Sequence, residues 1–118
     1  MGARAQVHIK DTGVYLYTHW GAGRIFEDVA EAIQKNWRWD DPEYLTRIIF
    51  DCMKRSDIEG ETGFGIGTAK HGDIEKLVVV DCKSQHVEFL DLYEPSTAWI
   101  SFKEVYNAGS WEAINAEV

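Results

Sequence analysis

The chain reads as one α+β domain: a mainly antiparallel sheet of about five strands, with two amphipathic helices on one face and a short C-terminal helix. Three observations predict this. Apolar and polar residues alternate on both sides of Thr12-Gly13. Two stretches between Gly21 and Arg55 repeat their apolar residues at helical spacing. Short β-branched runs separated by turn residues then fill much of the second half. The predicted order is ββααβββα.

The first hairpin spans residues 6–19. Val7 and Ile9 alternate with His8 and Lys10, and Val14-Tyr15-Leu16-Tyr17-Thr18 supplies the return strand. Gly21 and Gly23 interrupt it. Phe26, Val29, Ala30, Ile33 and Trp37 then form one stripe, with Glu27, Asp28, Glu31 and Lys35 opposite, so a helix should run to about Asn36. Asp40-Asp41-Pro42-Glu43 opens a second helix: an aspartate caps, proline fits the first turn, and acids face the positive end of the dipole. Its buried stripe should be Leu45, Ile48, Ile49, Cys52 and Met53, with Lys54 and Arg55 in the last turn.

Ser56 to Thr62 reads as a loop. Phe64-Gly65-Ile66-Gly67-Thr68 alternates apolar residues with glycine and predicts a strand. His71-Gly72-Asp73 predicts a turn. Leu77-Val78-Val79-Val80 and Val87 to Leu92 predict two more strands. Glu94-Pro95-Ser96-Thr97 reads as a loop, and Ser101-Phe102-Lys103-Glu104 as a capping box that starts a helix over about 102–107, closed by Gly109. Residues 110–118 read as a loose tail. The core should contain Val7, Ile9, Leu16, Phe26, Val29, Ile33, Leu45, Ile48, Ile49 and Val80.

At 118 residues the chain is expected to be a single domain, with a core large enough to need no metal or disulfide. Its net charge of −8 argues against binding duplex DNA, because that affinity comes from clustered Lys and Arg. The imbalance is uneven: residues 1–26 carry Arg4, Lys10 and Arg24 against Asp11, whereas the remainder is acidic. An anion site, if present, belongs near Arg24. Cys52 and Cys82 sit in apolar runs and read as buried thiols of a reducing, cytoplasmic setting. No segment is long and apolar enough to predict a membrane span, and the first residues lack a signal-peptide pattern.

The candidate site residues are His19, Trp20, Gly21, Gly23, Arg24 and Trp39, grouped at the two ends of the first helix. Gly21-Ala22-Gly23-Arg24 lies between a strand and a helix, where backbone amides and the helix dipole can hold an anion that Arg24 clamps. The spacing is neither GxGxxG nor a P-loop. The plain alternative is a tight turn in which Arg24 pairs with a neighbouring acid. Trp20 and Trp39 are expected to be partly exposed and Trp37 to be core. Gly63, Gly65 and Gly67 would bare one side of a strand, to be filled by a neighbouring part of the fold or by a ligand. Cys82 and His86 have locally zinc-like spacing, and His71 with Asp73 could hold the edge of a metal, but no second half with matching spacing follows, so no metal and no cofactor is expected. No nucleophile elbow or triad pattern appears, and no catalytic residue is assigned.

Three strings carry a resemblance: Val14-Tyr15-Leu16-Tyr17-Thr18-His19-Trp20; Arg38-Trp39-Asp40-Asp41 with Tyr44-Leu45 and Arg47-Ile48-Ile49-Phe50; and Glu61-Thr62-Gly63-Phe64-Gly65-Ile66. Together they resemble a group of small phage, prophage and prokaryotic proteins of uncharacterised function, over about residues 14–105. The resemblance implies a cytoplasmic protein of mobile-element type and assigns no residue a role.

Two function classes follow. The first is a non-catalytic binding or regulatory protein that acts through an aromatic surface on a host protein or on itself. The second is a small enzyme or a nucleotide- or phosphate-binding domain that uses the Gly21–Arg24 turn and His19. Two helices cover only one face of such a sheet, yet Leu77 to Val80 is apolar on both sides. A homodimer through the face of Tyr15, Tyr17 and Val79 is therefore expected, unless the C-terminal segment with Trp111 folds back over it.

Overall fold

The computed structural model describes residues 3–55, 57, 59–92 and 96–116. Met1, Gly2, Ser56 and Ile58, the expected loop at Glu94 and Pro95, and the last two residues of the expected tail, Glu117 and Val118, lie outside them. The sheet has six strands: β1 (Ala5–Ile9), β2 (Val14–Thr18), β3 (Phe64–Gly67), β4 (Lys76–Asp81), β5 (His86–Asp91) and β6 (Ser96–Ser101). Their spatial order is β3-β2-β1-β4-β5-β6. Every neighbouring pair is antiparallel except β1 with β4, which is parallel.

The helices are α1 (Ile25–Gln34), α2 (Pro42–Lys54), α3 (Phe102–Ala108) and α4 (Trp111–Ala116). Asp41 caps α2 by accepting from the backbone N–H of Glu43 and Tyr44, with Pro42 in the first turn. Ser101 and Glu104 form the reciprocal capping box of α3. α1 stops at Gln34 because Asn36 and Arg38 take left-handed backbone angles, φ 58° and 56°. This turns Trp37 out of the expected stripe. It is 57% exposed, under Lys35 Nζ, and is not core.

Pairing register sorts the sheet into two faces. Ala5, Val7, Ile9, Leu16, Val78, Val80, Val87 and Phe89 share the face that packs on the helices. Val29, Ile33, Leu45, Ile48 and Ile49 meet them, and full burial of each such side chain contributes about 1.5–3 kcal/mol. The predicted core residues are all in this cluster, although Phe26 is only partly buried, edge-on to Phe89.

Two further expectations are corrected. Ser96 and Thr97 belong to a sixth strand rather than to a loop. Trp111–Ala116 is a helix rather than a loose tail, with Ala113 N–H donating to Ser110 Oγ. Its Trp111 lies 4.7 Å from the Phe89 ring and 5.1 Å from Phe26. The C-terminal segment therefore packs on the same face as α1 and leaves the other face alone.

Candidate binding face

Among the described residues, one connection crosses the helix-free face. β3 is an edge strand and β4 is central, so the chain between them must pass over β2 and β1. It runs across this face as a strap, residues 68–75. Gln6, 1% exposed, pins it twice: Nε2 donates to the Ala69 carbonyl at 3.1 Å, and Oε1 accepts from His71 N–H at 2.9 Å. The His71 ring stacks on Tyr17 at 4.6 Å, and Asp73 sits 3.4 Å from Arg4 Nε. Ile74 and Leu77 are buried yet stand outside the main core, as a small apolar layer of their own.

Beyond the strap the face is open. Its middle row, read across the strands, is Gly67, Tyr15, His8, Val79, Glu88 and Trp99. Tyr15, His8, Val79 and Glu88 are half-buried, and Trp99 is 49% exposed. His8 stacks on Tyr15 at 4.1 Å, and His86 lies flat on Trp99 at 5.2 Å. Of the three bared glycines only Gly63 is filled by a neighbour, the Trp20 ring. A Cβ on Gly67 would meet nothing within 4 Å, and one on Gly65 only Tyr17 Cβ at 4.0 Å. A shallow cavity of about 150 Å³ opens there among Gln6, Tyr17, Gly65, Ile66, Gly67 and His71.

The expected site residues divide into three places. His19 and Trp20 follow β2. His19 Nδ1 lies 2.7 Å from Tyr17 Oη and accepts from Arg4 Nε at 3.3 Å, which puts the proton of the neutral ring on Nε2. Trp20, 54% exposed, lies against Gly63, whose φ of 106° and 2.7 Å clearance to the indole leave no room for a side chain. Gly21 to Arg24 form a 3-10 turn leading into α1. Trp39 is at the far end of α1, where its indole N–H donates to the Ile33 carbonyl at 2.9 Å. Ten helical residues separate the two ends by about 15 Å, so Trp20 and Trp39 do not share a pocket.

The Gly21–Arg24 turn bonds three of its four amides within the chain. Gly21 N–H donates to Thr18 Oγ1, Ala22 N–H to the Ala3 carbonyl and Arg24 N–H to the Gly21 carbonyl. Arg24 Nε lies 3.9 Å from Asp28, whose side chain is 5% exposed and receives Arg55 Nη2 at 2.6 Å. Arg55 also reaches Glu31 at 3.0 Å. Burial pushes the Asp28 carboxyl up from its ordinary value, against the pull of Arg55 and Arg24. This geometry is that of a turn whose arginine pairs with an acid.

Cys82 faces the main core while His86 stands on the opposite side of the sheet, so the two do not converge. Burial raises the thiol of Cys52 to about 11 and that of Cys82 to about 12, which makes both poor nucleophiles. Among the described residues no three His, Cys, Asp or Glu side chains gather as a metal site, and no helix is long and apolar enough to cross a membrane. Sequence reasoning missed the His8, Glu88 and Trp99 row. Only the pairing register brings it together, and the strand carrying Trp99 had no clean alternation to mark it.

No known protein family, curated protein or solved structure matches this chain.

Proposed function

We propose that the protein is a non-catalytic binding or regulatory protein of mobile-element type, and that its working surface is the helix-free face of the sheet. The observation that carries this reading is the open row of Tyr15, His8, Val79, Glu88 and Trp99, which the chain's own strap and C-terminal helix leave uncovered. Aromatic side chains supply large, stiff contact area and are enriched among the anchors of interaction surfaces. The resemblance to small phage and prophage proteins supports the mobile-element part of the reading. The phosphate-binding alternative draws less support, because the turn it needs has bonded the amides of Gly21, Ala22 and Arg24 within the chain.

Site-specific photo-cross-linking tests the proposal. A benzophenone side chain at Tyr15 or Trp99 should give protein cross-links in cells, and one at Tyr44, exposed on α2, should not. Cross-links only from position 44, or none from 15 and 99, would overturn it.

A further inference from the structure

We infer that the occupant of this face is a second copy of the same chain, docked about a two-fold axis that runs along β4 between two facing sheets. The inference rests on the face being a binding surface and adds the partner and the register.

The argument is the order of side chains across the open row. A two-fold axis along β4 keeps strand direction and exchanges left with right, so β1 of one protomer lies over β5 of its partner and β2 over β6. Val79 then meets the partner's Val79 on the axis. His8 meets the partner's Glu88, and Tyr15 the partner's Trp99; each contact occurs twice. The row is self-complementary: aromatic, donor, apolar centre, acceptor, aromatic.

The two polar members of the row have what such a contact needs. His8 Nδ1 is buried and unpartnered among the described residues. An unpaired N–H there costs more than an unpaired lone pair, so the ring proton belongs on Nε2, which is not among the buried unpartnered atoms. Glu88, half-buried between Val79 and Trp99, has no hydrogen bond or ion pair with a described residue. Two strand spacings, about 10 Å, keep it from the His8 of its own chain. Across the axis the imidazole N–H and the carboxylate face each other.

Sheet twist does not spoil the match. Facing sheets cross at about 30°, which displaces groups one strand from the axis by roughly 2.5 Å, within the reach of a glutamate side chain. In the neighbouring row Asp81 falls on the axis against its own copy, each with Lys10 Nζ at 3.8 Å. The strap occupies the row of Tyr17 and Gln6, so the contact centres on Tyr15 rather than on Tyr17. Among the strand residues of this face the charged groups are Asp81 and Glu88, and Lys10, directly after β1, offsets part of the acidic charge that meets its copy there.

Sedimentation velocity at micromolar protein tests the inference. The wild type should sediment as a dimer. Val79→Arg, which sets two cations on the axis, should give a monomer with an unchanged circular-dichroism spectrum. His8→Glu should weaken the dimer by at least about tenfold by opposing the partner's Glu88. The charge-swapped double variant His8→Glu with Glu88→Lys should restore it to within about threefold. A monomeric wild type, or a dimer indifferent to both single variants, would overturn the inference. So would failure of the swap to rescue in a folded protein. Cross-links from positions 15 and 99 to a different protein, with a monomeric wild type, would overturn the second copy and leave the binding face standing.

Discussion

Replacing Gln6 by alanine removes the staple of the strap. The side chain holds residues 68–75 through two bonds, to the Ala69 carbonyl at 3.1 Å and from His71 N–H at 2.9 Å. Ala69 and His71 are both exposed, so water can take over each freed backbone group and no lasting buried orphan remains. The loss is then the net value of two hydrogen bonds, about 1–3 kcal/mol. For a domain of this size that lowers Tm by roughly 4–12 °C. Calorimetry reads the loss, and amide exchange locates it: His71 N–H should exchange faster while the amides of β4 keep their protection. Gln6→Glu keeps the acceptor for His71 but loses the donor to Ala69 and buries a charge, so it should not rescue. An unchanged Tm together with unchanged exchange at His71 would refute the strap as described.

Other perturbations separate core, ion pair and turn. Leu45→Ala should cost about 2–5 kcal/mol in urea unfolding, because Leu45 is fully buried in the main cluster; a near-neutral result would contradict the packing of α2. Asp28 holds its proton more tightly in the folded state than in the unfolded chain, burial being the largest cause. Folding therefore gains stability from this group as pH falls through the raised folded value, and the gain is complete below the ordinary value of 3.8. Asp28→Asn should flatten that part of the stability-against-pH curve, and an unaltered curve would show that the group does not titrate so. Arg24→Ala should lower stability by no more than about 1 kcal/mol, since its contact with Asp28 is long and Arg24 is exposed. Calorimetric titration of either protein with inorganic phosphate should show no heat of specific binding, and phosphate binding that disappears in the variant would revive the turn as a site.

The hairpin, both long helices and the α3 capping box were legible because local chemistry decides them: alternation, helical period, Asp41 before Pro42, and Ser101 before Glu104. Trp37 was misread because periodicity does not register the left-handed turn at Asn36 that ends α1 early. β6 hid because it forms only by pairing with β5, following a proline and opening with serine and threonine. The strap escaped for a topological reason. A parallel pair between β1 and β4 demands a crossover, and parallelism is a property of distant segments. The expected site residues His19, Trp20, Gly21, Gly23, Arg24 and Trp39 lie off the open row; Tyr15 and Val79 came only from the expected dimer face, and His8, Glu88 and Trp99 needed the register. The Gly21–Arg24 turn looked open in sequence because amide partners from Ala3 and Thr18 are invisible there.

Hydroxyl-radical footprinting across a protein concentration series tests most directly whether a second copy covers this face. The account predicts that Tyr15 and Trp99 become protected as concentration rises, while Trp37 and Tyr44 on the helix side keep constant reactivity. Constant reactivity at Tyr15 and Trp99 with rising protection at Trp37 and Tyr44 would contradict it, and would place the contact surface on the helices.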